Sequence, residues 1–225
     1  REDDMRGGYY RPLFHPALEA ALDGSGKLVG WHHRLVGQSI LTGSPFEAMM
    51  VKDGIDHVSV EGASNLPYAI PNLLVDLHTP TDIGVPVLWW RSVGSSHTAY
   101  STEDFLDQGA AAMGQDPVAL RLELLTDHPK HAGVLKLAAD KANWGTPLKA
   151  AAGERRGRGV AVHESFNSFV AQVAEVTVKK DGSIKVDRII CAVDCGTAIN
   201  PDNIRSQVEG AVGFALSAAL SGEIT

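Results

Sequence analysis

The segment from Cys195 to Leu220 constrains the fold more than any other part of this 225-residue chain. It opens with a Cys-Gly turn. Asn200 and Pro201 then supply an N-cap and a first helical position, where the missing N–H of proline is tolerated. The residues that follow predict a long helix made largely of glycine, alanine and serine. Because glycine inside a helix costs about 1 kcal/mol relative to alanine, Gly210 and Gly213 indicate that another element or a ligand closely approaches the helix backbone.

A second distinctive segment runs from Trp90 to Ser96 and reads Trp-Arg-Ser-Val-Gly-Ser-Ser. It predicts a loop in which Arg91 follows two tryptophans. An arginine fork matches phosphate oxygens in a bidentate manner, and loop N–H groups add donors for an anion. The alternative is a loop arginine that makes a structural hydrogen bond, and the residues alone favour it.

Together the two segments resemble the molybdenum-binding large subunit of the xanthine dehydrogenase and aldehyde oxidase family of molybdenum hydroxylases. The matching residues are Val193-Asp194-Cys195-Gly196, Asn200-Pro201, Gln207-Val208-Glu209-Gly210, the loop from Trp90 to Ser96 and Gly114-Gln115-Asp116-Pro117-Val118-Ala119-Leu120-Arg121. They keep the family's order and spacing over nearly the whole chain. The loop sequence and the Arg-Glu-Asp-Asp start are most similar to the isoquinoline 1-oxidoreductase beta-subunit type.

This resemblance implies that the chain helps to bind molybdopterin cytosine dinucleotide carrying molybdenum. The residues expected to contact this cofactor are Arg91, Ser92, Val93, Gly94, Cys195, Gly196 and Gln207. Gln207 suits the edge of a pterin because an amide both donates and accepts hydrogen bonds. In the family the pterin dithiolene holds the molybdenum, so no metal ligands are expected from the protein, and the nine histidines show no metal-binding spacing.

The family also implies an activity: oxidation of an aldehyde or an isoquinoline-like N-heteroaromatic, with water as the oxygen source. Its partners would be the small-molecule substrate and an iron–sulfur small subunit, and a cytochrome is allowed as an electron acceptor. The family's Gly-Glu-Pro motif, which carries a glutamate base, and its Gly-Gln-Gly loop are both absent here. We therefore expect no catalytic residue in this chain and no activity of the chain alone. The competing hypothesis is a non-catalytic interaction or assembly domain that binds no pterin.

Composition argues against a nucleic-acid partner and against a membrane span. The chain is 44% apolar and 21% charged, with a net charge of −7, as in ordinary globular proteins. Its basic run at residues 154–158 is too short to predict a nucleic-acid partner. No apolar run reaches the roughly 18 residues of a membrane span. The compartment is left open between the periplasm and the cytoplasm of a bacterium.

The pattern of elements predicts an α+β fold, with mixed antiparallel sheets and packed helices. Residues 1–150 are predicted as a strand-rich region followed by three helices, and residues 151–225 as a strand hairpin plus the long helix. The expected helices span 102–113, 116–125, 131–143 and the segment after Asn200; the expected strands lie at 17–22, 28–37, 57–60, 70–78, 157–163, 170–178 and 184–193. Because the chain starts at Arg1 without methionine and stops inside a strand-like segment, 222–225, we expect a fragment of a longer polypeptide.

The cysteines, one aspartate and one histidine have mainly structural interpretations. Cys191 and Cys195 lie four apart along one predicted strand, which places them about 13 Å apart and excludes a disulfide. Asp194 is expected to brace the turn that follows. His163 ends a predicted strand, and with nine histidines in the chain a role in lining a pocket is the minor expectation.

Overall fold

A computed structural model describes Glu2, Met5 and residues 7–222 of the chain. Its strands are β1 Phe14–Leu22, β2 Leu28–Gly37, β3 Val51–Lys52, β4 Ile55–Asp56, β5 Asn72–His78, β6 Arg155–Ser165, β7 Ser168–Val178 and β8 Ile184–Asp194. Its helices are α1 Glu47–Met50, α2 Ser95–Met113, α3 Pro117–Leu124, α4 Pro129–Lys141 and α5 Pro201–Leu220. The α+β class is confirmed, since both helices and mixed sheets are present.

The first sheet has the order β1-β2-β5. The hairpin of β1 and β2 forms because Asp23 Oδ1 accepts the backbone N–H groups of Ser25 and Lys27, which closes the turn. β5 then pairs in parallel with β2, so the sheet is mixed. The hairpin matches the sequence prediction, whereas the parallel partner carries no local signal.

The second sheet, β6-β7-β8, is antiparallel throughout. Phe166 and Asn167 both have positive φ, of 50° and 58°, and form the two-residue turn between β6 and β7. At the next turn, Asp181 Oδ1 accepts the N–H of Ser183. The apolar side chains that this sheet buries are Val160, Val162, Ala171, Val173 and Ala192.

The helices α2 and α4 pack against that sheet, and α3 packs against both of these helices. Asp116 caps α3 by accepting the N–H groups of Val118 and Ala119, each at 2.9 Å. One hydrophobic core includes Leu106 and Leu135 from the helices together with Val162 from the sheet. This core joins elements from both predicted domains, and a division at residue 150 stays a prediction.

A buried ion-pair network fixes α2 against its neighbours. Arg121 is fully buried, and its Nε donates to Glu103 Oε2 at 2.9 Å while its Nη1 contacts Asp107. Glu103 also accepts the Tyr68 hydroxyl at 2.7 Å and the Val162 N–H at 2.9 Å. The buried charge of Arg121 is thus paired, as a buried charge must be. Because Glu103 belongs to α2 and Val162 to β6, the same network fixes the orientation of α2 on the sheet.

The structure corrects three expected elements. Residues 57–60 form a turn and not a strand, because Asp56 Oδ1 accepts the N–H groups of Val58 and Ser59. The helix expected at 102–113 begins seven residues earlier, at Ser95. The helix expected at 131–143 begins at Pro129, which suits a first helical position. Of the predicted terminal strand, residues 223–225 lie outside the described part of the chain.

Candidate functional site

The Arg91 turn leads directly into α2. The Val93 N–H donates to the Trp90 carbonyl at 3.1 Å, and Val93 adopts a left-handed φ of 50°. The Ser92 hydroxyl hydrogen-bonds to the Ser96 hydroxyl at 2.6 Å. The predicted loop is therefore a tight turn, and the Ser92 hydroxyl has its partner inside it.

Gly94 is required by packing within the chain. A Cβ atom at this position would lie 2.1 Å from the Val58 carbonyl oxygen and 3.0 Å from Glu61 Cβ. Any side chain there would push the turn away from residues 58–61. The loop at residues 58–61 therefore occupies the space next to the Gly94 backbone.

Arg91 lies against the final helix. Its guanidinium carbon is 5.5 Å from the centroid of the Phe214 ring, and the Trp90 ring is 4.9 Å from the same ring. Arg91 is exposed, and among the described residues it forms no ion pair. Its guanidinium therefore remains able to bind an anion from outside this part of the chain.

The helix α5 begins as the sequence predicts. Asn200 Oδ1 accepts the N–H groups of Asp202 and Asn203, at 3.1 and 3.2 Å. One stripe is half-buried, and the other residues are exposed; the stripe consists of Ile204, Val208, Val212 and Leu216. No heavy atom lies within 4 Å of a Cβ built on Gly210 or Gly213. The close neighbour expected at these glycines is therefore absent from the described residues.

One face of α5 points toward the Arg91 turn. Gln207, Gly210 and Phe214 are spaced by three and four residues, so they share this face. Gln207 is exposed and lies about 10 Å along the helix from Phe214. We call the surface made by Arg91, Phe214, Gly210 and Gln207 the Arg91–α5 surface. It combines an exposed cation, an amide and bare main chain.

The Cys195-Gly196 turn follows β8. Asp194 Oδ1 accepts the Gly196 N–H at 3.1 Å, which confirms that Asp194 braces this turn, and Gly196 has a φ of 78°. Both cysteines are free thiols, and Cys195 is exposed. Across the sheet, Glu164 pairs with Phe169 and Phe169 with Asp194. The Cys195-Gly196 turn therefore leaves the sheet at the same end as the turn between β6 and β7.

A cavity of about 270 Å³ opens at this end of the sheet. Its lining includes Asn65, His128, His131, His163, Asn167 and Phe169. We call it the histidine cavity. Glu164 lines it as well, so three imidazoles, two amides, one carboxylate and one aromatic ring surround one space.

The buried imidazoles of the histidine cavity are uncharged at neutral pH. Burial lowers the pKa of His131 to about 4, and burial also lowers the pKa of His163. His131 is only 5% exposed, and its Nδ1 has no hydrogen-bond partner among the described residues. Its ring packs edge-on against Phe169, with centroids 4.9 Å apart. The cavity therefore offers neutral imidazoles and the Glu164 carboxylate beside Phe169, whose ring centroid lies 5.1 Å from Lys130 Nζ.

The histidine cavity and the Arg91 turn are neighbours. His163 Nε2 hydrogen-bonds to Ser95 Oγ at 2.9 Å, and Ser95 follows Arg91 by four residues. From the sequence, a pocket-lining role for His163 was only the minor expectation, and His128 and His131 were not predicted to line a pocket. No local signal marks them, since the cavity forms only when β6, α4 and the loop at residues 62–67 come together. Among the described residues, no cluster of three or more His, Cys, Asp or Glu could hold a metal ion.

Comparison with known proteins identifies the family. The model of the molybdopterin cofactor-binding domain matches residues 109–225, slightly more than half of the chain. The chain belongs to this family. The match includes the Cys195–Leu220 segment and confirms the family resemblance, whereas the Trp90–Ser96 segment lies outside the matched residues.

Two curated relatives of the chain carry the names of oxidoreductase subunits. The beta subunit of isoquinoline 1-oxidoreductase from Brevundimonas diminuta is 29% identical over 225 residues, which covers 98% of this chain and 28% of that protein. A nicotinate dehydrogenase subunit from Pseudomonas putida is 29% identical over 202 residues, covering 81% of this chain and 17% of that protein. The chain thus spans less than a third of the length of these relatives.

A solved structure shares the fold of the chain. Quinoline 2-oxidoreductase from Pseudomonas putida 86 superposes with a TM-score of 0.52 at 16% identity, covering 80% of this chain and 27% of that one. Within the described part of the chain, no helix is both long and apolar enough to cross a membrane.

Proposed function

We propose that this chain is the part of a molybdenum hydroxylase large subunit that forms one wall of the cofactor site and one wall of the substrate pocket. The observation that carries the proposal is the contact between the Arg91 turn and α5. It sets an exposed guanidinium against Phe214, on the α5 face that also carries the open backbone of Gly210 and the exposed amide of Gln207. These are the groups that an anionic, planar cofactor requires.

The cofactor that suits these residues is molybdopterin cytosine dinucleotide with molybdenum. Arg91 would bind phosphate oxygens in a bidentate manner, and Gln207 would pair with the pterin edge. The exposed turns at Ser92-Val93 and Cys195-Gly196 would contribute main-chain groups. When bound, the molybdenum supplies the redox chemistry and the oxygen transfer. The residues of this chain bind and orient the cofactor.

The substrate proposed for the complete protein is an aldehyde or an N-heteroaromatic, oxidised with water as the oxygen source. The histidine cavity supports this class because its buried imidazoles are neutral and Phe169 offers an aromatic face. Its size is at the lower limit for small-ligand pockets and fits a planar molecule of one or two rings. An anionic substrate would lose its hydration there and face the Glu164 carboxylate.

The complete protein is proposed to work with partners. Both curated relatives carry names that describe them as subunits, which supports an assembly of several chains. An iron–sulfur small subunit would carry electrons away, and a cytochrome is a candidate for the final acceptor. We propose that the chain alone is inactive, because it carries no Gly-Glu-Pro segment to supply a glutamate base.

The proposal is tested on the full-length protein, expressed in its host together with the iron–sulfur partner. Purified material is expected to contain molybdenum and, after acid release, cytidine nucleotide in near-equal amounts. Guanosine or adenosine in place of cytidine would correct the cofactor form alone. Absence of both molybdenum and pterin would overturn the proposal and favour the non-catalytic assembly domain.

A further inference from the structure

His163, which lines the histidine cavity, is linked through Ser95 to Glu61 by a chain of hydrogen bonds. Ser95 Oγ donates to Glu61 Oε1 at 3.3 Å, and the same oxygen lies 2.9 Å from His163 Nε2. Ser95 is only 7% exposed, so water does not replace these bonds. Gly62 closes the arrangement, because a Cβ there would lie 2.9 Å from His163 Cε1. The His163 ring therefore has little room to turn.

The direction of this chain follows from its donors and acceptors. An ionised carboxylate only accepts, so the single hydrogen of the Ser95 hydroxyl points to Glu61. The Ser95 oxygen can then only accept from His163, which places the imidazole proton on Nε2. A neutral imidazole carries one N–H, so His163 Nδ1 is left as an acceptor.

The acceptor at Nδ1 is available to a ligand. His163 lines the histidine cavity, and among the described residues none hydrogen-bonds to its Nδ1. We propose that Glu61 and Ser95 are positioning residues that fix the tautomer of His163, so that the cavity selects ring-shaped ligands bearing an N–H or O–H donor. Cyclic lactams and hydroxylated heterocycles belong to this class. The inference rests on the proposed function only in taking the histidine cavity as the substrate pocket.

The charged surroundings are consistent with this assignment. Burial is the main cause that raises the pKa of Glu61, and Glu164 raises it further, whereas the hydrogen bond from Ser95 lowers it. Glu164 is also the carboxylate that opposes the burial effect on the pKa of His163. Binding is therefore best measured near pH 8, where the carboxyl groups are ionised and His163 is neutral.

The test compares two probes that differ at one position, 2-quinolone with an N–H donor and N-methyl-2-quinolone with a methyl group in its place. Their dissociation constants are measured by calorimetry on the full-length protein together with its iron–sulfur partner. The wild type is expected to prefer 2-quinolone by about tenfold, the value of one hydrogen bond. Glu61→Met, which has similar size and no acceptor, should reduce the ratio to about one, and Ser95→Ala should do the same.

The matched control is Glu61→Gln, which removes the charge and keeps an acceptor oxygen for Ser95. This variant should retain most of the preference, and a loss equal to that in Glu61→Met would show that charge and not tautomer decides. A wild-type ratio near one, or an unchanged ratio in both Glu61→Met and Ser95→Ala, would overturn the inference. Molybdenum and pterin are assayed in the same preparations, so failure of the proposed function is recognised separately.

Discussion

Arg91 is the residue whose surroundings say most about the proposed function. A cation stacked on Phe214 without an acidic partner among the described residues is held in place by packing and remains able to pair with an anion. A structural arginine looks different: Arg121 is fully buried and paired with Glu103 and Asp107. The contrast between the two arginines supports the binding role that the proposed function gives to Arg91.

Replacing Arg91 tests this role at the residue scale. Arg91→Ala in the full-length protein is expected to lower the molybdenum content at least tenfold, since a charge-assisted bidentate contact contributes about 1.5–3 kcal/mol. Arg205→Ala is the control, because Arg205 is an exposed arginine on α5 that only approaches Asp202, at 3.9 Å. Equal molybdenum in wild type and Arg91→Ala would remove Arg91 from the site.

Asp116 supports a prediction about stability. Its Oδ1 caps α3, and its Oδ2 accepts the Trp144 indole N–H at 2.7 Å. Asp116→Ala should therefore lower the free energy of unfolding by about 1–2 kcal/mol, as measured by urea denaturation. Asp140→Ala, at an exposed position on α4, serves for comparison and should change stability little. Equal effects of the two substitutions would argue against the cap.

At the scale of elements, α5 is the unusual one. A helix of twenty residues with no fully buried side chain gains little from packing within the described residues. Its half-buried stripe faces inward, while its glycines border open space. In the proposed function, the cofactor occupies the space beside these two glycines.

A substitution that fills the open space beside Gly210 should affect cofactor binding without affecting stability. A Cβ at Gly210 would have open space around it, and leucine favours the helix over glycine by roughly 0.8 kcal/mol, so we expect Gly210→Leu not to lower stability. Molybdenum content should nevertheless drop severalfold, because the side chain occupies the Arg91–α5 surface. Ala215→Leu points about 140° away around the helix and should retain molybdenum. Full molybdenum in Gly210→Leu would place the cofactor elsewhere.

At the scale of the whole molecule, buried neutral histidines make stability depend on pH. Burial lowers the pKa of His33, His97 and His131 from 6.5 to about 4. Between these values the unfolded chain binds protons that the folded chain does not, so stability falls as the pH decreases from 6.5 toward 4.

The measurement is the urea midpoint of unfolding at pH 7 and at pH 5.5. The decrease should correspond to about 1 kcal/mol for each of the three histidines. The hydrogen bond to Arg34 is the main cause that lowers the pKa of Asp76 to about 2. Asp76 therefore changes the free energy of unfolding only below the pH range of this measurement. Equal midpoints at the two pH values would mean that these histidines are accessible to protons in the folded state.

The features that could be predicted from the sequence alone are local. The turn at Asp181-Gly182-Ser183, the cap at Asp116-Pro117 and the start of α5 at Asn200-Pro201 each depend on side chains that bond to backbone two or three residues away. Such signals are readable without the rest of the chain. The Arg91 and Gln207 segments were likewise recognisable from their motifs, although their roles in cofactor binding are still to be tested.

Contacts between segments that are far apart in the chain could not be predicted from the sequence, and only the tertiary structure shows them. The helix α2 begins at Ser95 because His97 bonds to the Ser59 carbonyl and Thr98 to the Glu61 carbonyl, contacts that outweigh the weak helix propensity of serine and threonine. The contact of Arg91 with Phe214 and the grouping of His128, His131 and His163 arise in the same way. Each depends on packing between segments far apart in the chain, for which no short stretch of sequence holds the information.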